Sequence, residues 1–239
     1  MNTKIAYITD IHLDEQFTTD QGIDARKNWQ TILKDITDKE IDEIIFGGDI
    51  GKESANKWFF ESLRAYNIAI SLGNHDSFNE VTQHYDNRID KTQTELYYTQ
   101  ERGFYKFIFL DSSTEMIGQE QLNWLKNELL TTKKIVIFIH HPILAINAAV
   151  DKKYALKNRL KIKEILFNIK NEITIFSGHY HFNDKSIDNN ITQYVTAASS
   201  YQVEKLPNEI KLNNETFGYR IIELSKNEIT TNLVSFLTN

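Results

Sequence analysis

The sequence predicts a mixed fold of the α/β (α+β) class, with two sheets packed face to face and helices outside. Three observations predict it. Short apolar runs alternate with amphipathic helical patterns from the N-terminus to about residue 176. The remainder is mostly strand-like. Five of the apolar runs lead straight into polar clusters, as expected of ligand loops at the carboxyl ends of strands.

The first apolar run, IAYIT, opens the chain as a strand. Residues 22–38 then read as a helix, because Ile23, Trp29, Ile32, Leu33 and Ile36 fall roughly on one face. A strand at 43–46 precedes a helix at 53–65 with Ala55, Trp58, Phe59 and Leu63 inward. A strand follows at 67–71. Residues 95–99 and 103–110 read as adjacent strands joined across 100–102. A helix at 118–131 carries Leu122, Trp124, Leu125 and Leu129. The run at 134–139 has the unbroken apolar end of a buried strand. A helix at 157–170 and strands at 172–176, 182–187, 191–196, 217–223 and 229–236 complete the pattern.

Composition narrows the function. A chain of 239 residues with 41% hydrophobic and 25% charged residues can bury a sizeable core. Nine glycines, two prolines and no composition shift give no sign of a linker, so one domain over 1–239 is expected. A net charge of −6 argues against a nucleic-acid polymer or an anionic membrane surface as partner. It leaves room for a small phosphate substrate, because bound cations invert the local field. There is no cysteine, so any metal must be held by oxygen and imidazole nitrogen. The N-terminus lacks the apolar core of a signal peptide, and no run is long enough to span a membrane, so a cytoplasmic protein is expected.

Six of the seven histidines fall in the clusters that end the apolar runs. The clusters are Asp10-Ile11-His12, Gly47-Gly48-Asp49, Gly73-Asn74-His75-Asp76, His140-His141-Pro142 and Gly178-His179-Tyr180-His181. In an extended strand end, positions i and i+2 point to one side, so Asp10 and His12 can share an ion, and His179 and His181 have a common metal-ligand spacing. Each cluster alone has a bland reading. Asp49 could cap a helix, Gly73-Asn74 is a natural turn, and a lone His140 or His141 could simply pack in a loop. All five together form the ligand inventory of a two-metal hydrolase. His84 lies outside the pattern and reads as a surface or helix residue.

The ordered series of motifs from Asp10 to His181 resembles the calcineurin-like metallophosphoesterase superfamily. Within it the sequence looks most like the class III cyclic nucleotide phosphodiesterases and the related glycerophosphodiesterases. Leu110-Asp111-Ser112-Ser113, Gln121-Leu122-Asn123-Trp124-Leu125 and Asn158 support the likeness. The resemblance implies a four-layer α-β-β-α sandwich of two mixed sheets. It implies a dinuclear centre of divalent or mixed-valence ions, with manganese and iron first and zinc compatible. Asp10, His12 and His181 would bind one ion, and Asn74, His140 and His179 the other, with Asp49 between them. His140 is preferred to His141, because related motifs often have glycine at the second place. His75 would contact the phosphate and assist the leaving oxygen, and Asp76 would orient His75. Two cations about 3.5–4 Å apart can clamp a phosphoryl group, with a bridging hydroxide as nucleophile.

The implied activity is hydrolysis of small phosphodiesters, with cyclic nucleotides among the candidates. Two alternatives remain. One is a phosphomonoesterase or protein phosphatase on the same centre. Such phosphatases usually carry extra arginines beside the second and third motifs, and here the nearest is Arg88. The other is a non-catalytic metal- and phosphate-binding module. The motif histidine pair is followed by Pro142-Ile143 where relatives often have two prolines, and residues 143–154 are expected to cover the site.

Overall fold

The computed structural model describes residues 3–85 and 94–238, so Arg88 lies outside the described residues. The chain begins β1 (Thr3–Ile8), α1 (Gln16–Asp20), α2 (Ala25–Asp38), β2 (Glu43–Phe46), α3 (Glu53–Ser62), β3 (Asn67–Ile70) and α4 (Phe78–Val81). It continues β4 (Tyr98–Arg102), β5 (Tyr105–Leu110), α5 (Gln119–Glu128), β6 (Lys134–Ile139), α6 (Ala149–Tyr154), α7 (Arg159–Phe167) and β7 (Ile173–Ser177). It ends β8 (Asp184–Asp188), β9 (Ile191–Val195), β10 (Gln202–Val203), β11 (Leu212–Asn213), β12 (Thr216–Leu224) and β13 (Ile229–Leu237).

Two mixed sheets result. One has the order β13-β12-β1-β2-β3 and the other β4-β5-β6-β7-β9-β8, while β10 and β11 form a separate ribbon. Alternation along the strands builds the layers. Ile5 and Tyr7 of β1 pack between the sheets against Phe107, Phe109, Phe138 and Phe176. Their neighbours Ala6 and Ile8 turn outward to Trp29, Ile32 and Ile36 of α2 and Phe59 of α3. On the opposite side Ile108, Leu110, Ile135 and Ile137 face Leu122 and Leu125 of α5 and Ile162 and Leu166 of α7. The arrangement is a four-layer α-β-β-α sandwich.

Several boundaries differ from the sequence expectation. Gln100 and Arg102 belong to β4, where Arg102 pairs with Tyr105. The turn is Gly103-Phe104, with Gly103 at φ 57°; glycine in the first of two turn positions is a tight-hairpin signal. Helix α2 starts late because the Asp24 side chain accepts from Lys27 N–H at 2.9 Å and so caps it. Helix α7 starts late because Asn158 is engaged with both backbone groups of Ile117. The short α1, α4, α6, β10 and β11 have too few residues to show a period, and the sequence did not reveal them.

Strands β1, β2 and β3 are parallel neighbours, as are β6 and β7 in the other sheet. Their carboxyl ends therefore lie along one edge of the sandwich, and each carries one of the five clusters. Among the described residues, no helix is long and apolar enough to cross a membrane.

Candidate metal centre

The loops after β1 and β2 run side by side. Asp10 N–H donates to Gly48 O, His12 N–H to Asp49 O, and Leu13 N–H to Ile50 O, at 2.9, 3.1 and 2.7 Å. Gly48 adopts φ 100°, and a Cβ there would run into the backbone nitrogen of Gly73 and lie 2.8 Å from His140 Nδ1. Only glycine lets these loops approach so closely.

Backbone strain concentrates here. Among the described residues nine non-glycine residues have positive φ, and Asp10, His12, Asp49, His179 and His181 are five of them. Such conformations cost about 1 kcal/mol or more each and persist where surrounding bonds over-determine them. Those bonds are visible. Ser200 Oγ donates to Asp10 O at 2.6 Å and Ser199 Oγ to Thr9 O at 2.8 Å. Thr9 Oγ1 and His179 N–H donate to the Asp10 carboxylate at 2.7 and 3.1 Å.

The clusters meet as two groups of donors, beside a third made by His12, Glu15 and His75. Asp10, His12 and His181 form one, and Asp49, His140 and His179 the other; within each, the ligand atoms lie within 4.8 Å of one another. His12 Nε2 is 3.1 Å from His181 Nε2, and His181 Nε2 is 3.2 Å from Asp10 Oδ1. Asp49 joins the groups. Its Oδ2 is 3.2 Å from His140 Nε2 and 3.6 Å from His12 Nε2. Its Oδ1 accepts the His75 N–H at 2.9 Å. Asp49 caps no helix, because α3 has Lys52 at that position.

Backbone carbonyls fix the imidazoles. Nδ1 of His140 meets Gly47 O at 2.8 Å, Nδ1 of His181 meets Tyr201 O at 2.9 Å, and Nε2 of His179 meets Tyr154 O at 3.0 Å. Such contacts select the nitrogen left free for an ion. Tyr154 ends α6, which Asp151 ties down through Tyr180 OH and Arg159. The segment 143–154 thus reaches the site through a carbonyl. His141 stands beside His179, with ring centroids 4.0 Å apart, and its Nδ1 is 2.9 Å from Ser112 Oγ.

The chemistry of the donors fits divalent cations. Buried Asn74 Oδ1 has no hydrogen-bond partner, a state that buried polar atoms rarely occupy without a ligand, and His140 Nε2 faces only the Asp49 and Asp10 carboxylates, at 3.2 and 3.8 Å. The donors are all oxygen and nitrogen. Burial opposes a charge on His140, yet the Asp49 and Asp10 carboxylates outweigh it and lift the pKa to about 10. Positive charge is therefore favoured between these carboxylates. Burial and the neighbouring His140 push His179 down to about 4.

Two residues behave differently from the sequence expectation. Asp76 does not touch the His75 ring; its carboxylate accepts N–H bonds from Asp49, Gly73 and Ile50 at 2.7, 2.9 and 2.9 Å, locking the second loop to the third. Burial and the Asp49 charge raise its pKa to about 7 against those bonds. The His75 ring is held instead by Glu15, whose Oε1 is 2.9 Å from Nδ1, while Oε2 is 3.1 Å from His12 Nδ1. Burial opposes ionisation of Glu15, but the hydrogen bonds to His12 and His75 prevail and hold its pKa at about 2.

A cavity of about 310 Å³ opens over the donors, bounded by Asn74, His75, Tyr154, His179 and Tyr201 among others. It is at the lower end of the usual range for small-ligand sites, roughly 300–1,000 Å³.

A Fibrobacter succinogenes protein named "probable cyclic nucleotide phosphodiesterase" is 27% identical over 235 residues, covering 95% of this chain and 92% of that one. A 3',5'-cyclic-nucleotide phosphodiesterase of Nostoc sp. is 24% identical, covering 92% of this chain and 87% of its own. The crystal structure of a dimetal phosphatase from Danio rerio superposes with a TM-score of 0.65 at 12% identity, covering 96% of this chain and 98% of the other, a likeness of fold. The family model described as calcineurin-like phosphoesterase matches residues 3–183, and the chain belongs to that family.

Proposed function

We propose that the protein is a metal-dependent phosphodiesterase acting on small diesters, with cyclic nucleotides as the substrates to which the names of its relatives point. The observation that carries this reading is the meeting of two three-donor groups at the Asp49 carboxylate. Asp10, His12 and His181 would hold one divalent ion, and Asn74, His140 and His179 the other, with Asp49 shared. The oxygen and nitrogen donor set suits manganese or iron and accepts zinc. When bound, the ions supply charge neutralisation at the phosphoryl oxygens and an activated water.

The chain's own groups do the rest. Glu15 is a carboxylate and can only accept, so Nδ1 of His75 carries the proton toward it. That leaves Nε2 to face a substrate oxygen, and the half-exposed ring stands at the cavity. Asp76 keeps Asp49 and Gly73 in register, and Tyr154 O keeps His179 in place. Among the described residues lining the cavity there is no lysine or arginine. A monoester dianion or a phosphoprotein would gain from extra cations there, so this favours the monoanionic diester over the phosphatase reading.

The test is hydrolysis of bis-p-nitrophenyl phosphate beside p-nitrophenyl phosphate with added Mn²⁺. The diester is expected to be the faster substrate. A faster monoester would favour the phosphatase reading.

A further inference from the structure

Large apolar side chains gather at the mouth of the cavity and are left open to solvent. Phe17 of α1 is 48% exposed, Tyr154 of α6 47% and Ile210 40%. They come from three separate segments, yet all line the same cavity. Val150 and Leu212 extend the surface inward. Exposed apolar residues converging on one concavity mark a binding surface rather than chance scatter. The surface is also continuous with the metal donors. Tyr201 packs on His181 at 4.5 Å and on His12 at 5.8 Å between ring centroids, and Phe17 meets Tyr201 edge-on at 5.6 Å.

We infer that Phe17, Val150, Tyr154, Tyr201, Ile210 and Leu212 form a subsite for an uncharged, planar aromatic ring carried on an ester arm of the phosphodiester. The inference rests on the function proposed above and names which diesters the site selects. A phosphodiester held at the donor groups would place an ester arm against this wall, because donors and wall line one cavity. An arm bearing a second phosphate or a carboxylate finds no lysine or arginine among the lining residues; the neighbouring Lys153 ammonium lies over the Tyr154 ring, 4.9 Å from its centroid. A polyol arm such as glycerol would lose its water against six side chains that offer two hydroxyls between them, those of Tyr154 and Tyr201. A flat ring matches both the aromatic edges and the aliphatic floor, and stacking of this kind tolerates different rings. Phe17, Val150 and Tyr154 lie within the family match at 3–183 and Tyr201, Ile210 and Leu212 beyond it, so the wall is built from segments on both sides of that boundary.

Two readouts test this. The first is saturation-transfer NMR of adenosine and of ribose on protein loaded with diamagnetic Zn²⁺, for wild type and Phe17→Ala. The base protons of adenosine are expected to receive saturation from wild type and to lose most of it in Phe17→Ala, with ribose weak in both. The same base signal from both proteins overturns the subsite. The second is the ratio of kcat/KM for bis-p-nitrophenyl phosphate over ethyl p-nitrophenyl phosphate, which share a leaving group. That ratio is expected to fall about tenfold in Phe17→Ala, as loss of one stacking partner implies, and to fall in Ile210→Ala as well. An equal loss on both substrates overturns the subsite and leaves Phe17 as a support for Tyr201. If wild type turns over neither diester while adenosine binding still depends on Phe17, the subsite stands and the proposed diesterase activity fails.

Discussion

Asp49→Ala is expected to lose both metal retention and turnover, with kcat/KM for a diester falling roughly a thousandfold, since metal ions contribute several kcal/mol to such transition states. The reason is position. Asp49 Oδ2 faces His140 and His12, one from each donor group, so its removal weakens both at once. Its Oδ1 also accepts the His75 N–H. Asp49→Asn separates the two effects, because the amide oxygen can still accept that N–H while the charge is gone. Metal content after dialysis should fall in both variants. Retention of two ions by Asp49→Asn at wild-type turnover would show that Asp49 does not join the groups.

His75→Ala should give the complementary result. Turnover is expected to fall about 10²–10⁴-fold, the usual contribution of a positioned acid, while metal content stays at the wild-type level. The ring lies outside the Asp10–His12–His181 and Asp49–His140–His179 groups, in a third with His12 and Glu15, and its side chain is 44% exposed, so truncation leaves no buried void. The backbone N–H that supports Asp49 survives the change. Metal analysis alongside diester kinetics distinguishes this from Asp49→Ala. Wild-type turnover in His75→Ala would remove it from the reaction, and loss of ions would make it a ligand.

The layers and the placement of the motif loops were legible because their cause is local. Strand-like runs of four to six residues leading into Asp, Asn or His state both the strand and its polar end. Asp49 was ambiguous between cap and ligand until the start of α3 at Glu53 excluded the cap. The partners that hold the site were not legible, because they are far away in sequence or act through the backbone. Ser199 and Ser200 pin the Thr9-Asp10 strand end from 190 residues away. Tyr154 and Tyr201 orient His179 and His181 through carbonyl oxygens, which carry no side-chain signature. Glu15 follows His12 by three residues, a spacing that could have drawn attention, but its second partner His75 is 60 residues on. Asp76 was expected to orient His75, yet its carboxylate turns to three backbone N–H groups instead.

Addition of Mn²⁺ to chelator-stripped protein, with bound metal and hydrolysis of bis-p-nitrophenyl phosphate recorded together, tests the dinuclear centre most directly. Turnover is expected to be negligible without metal and to level off as about two ions bind per chain. Undiminished hydrolysis by the stripped protein, or full activity with no bound metal, would contradict a metal-dependent phosphodiesterase built on Asp49.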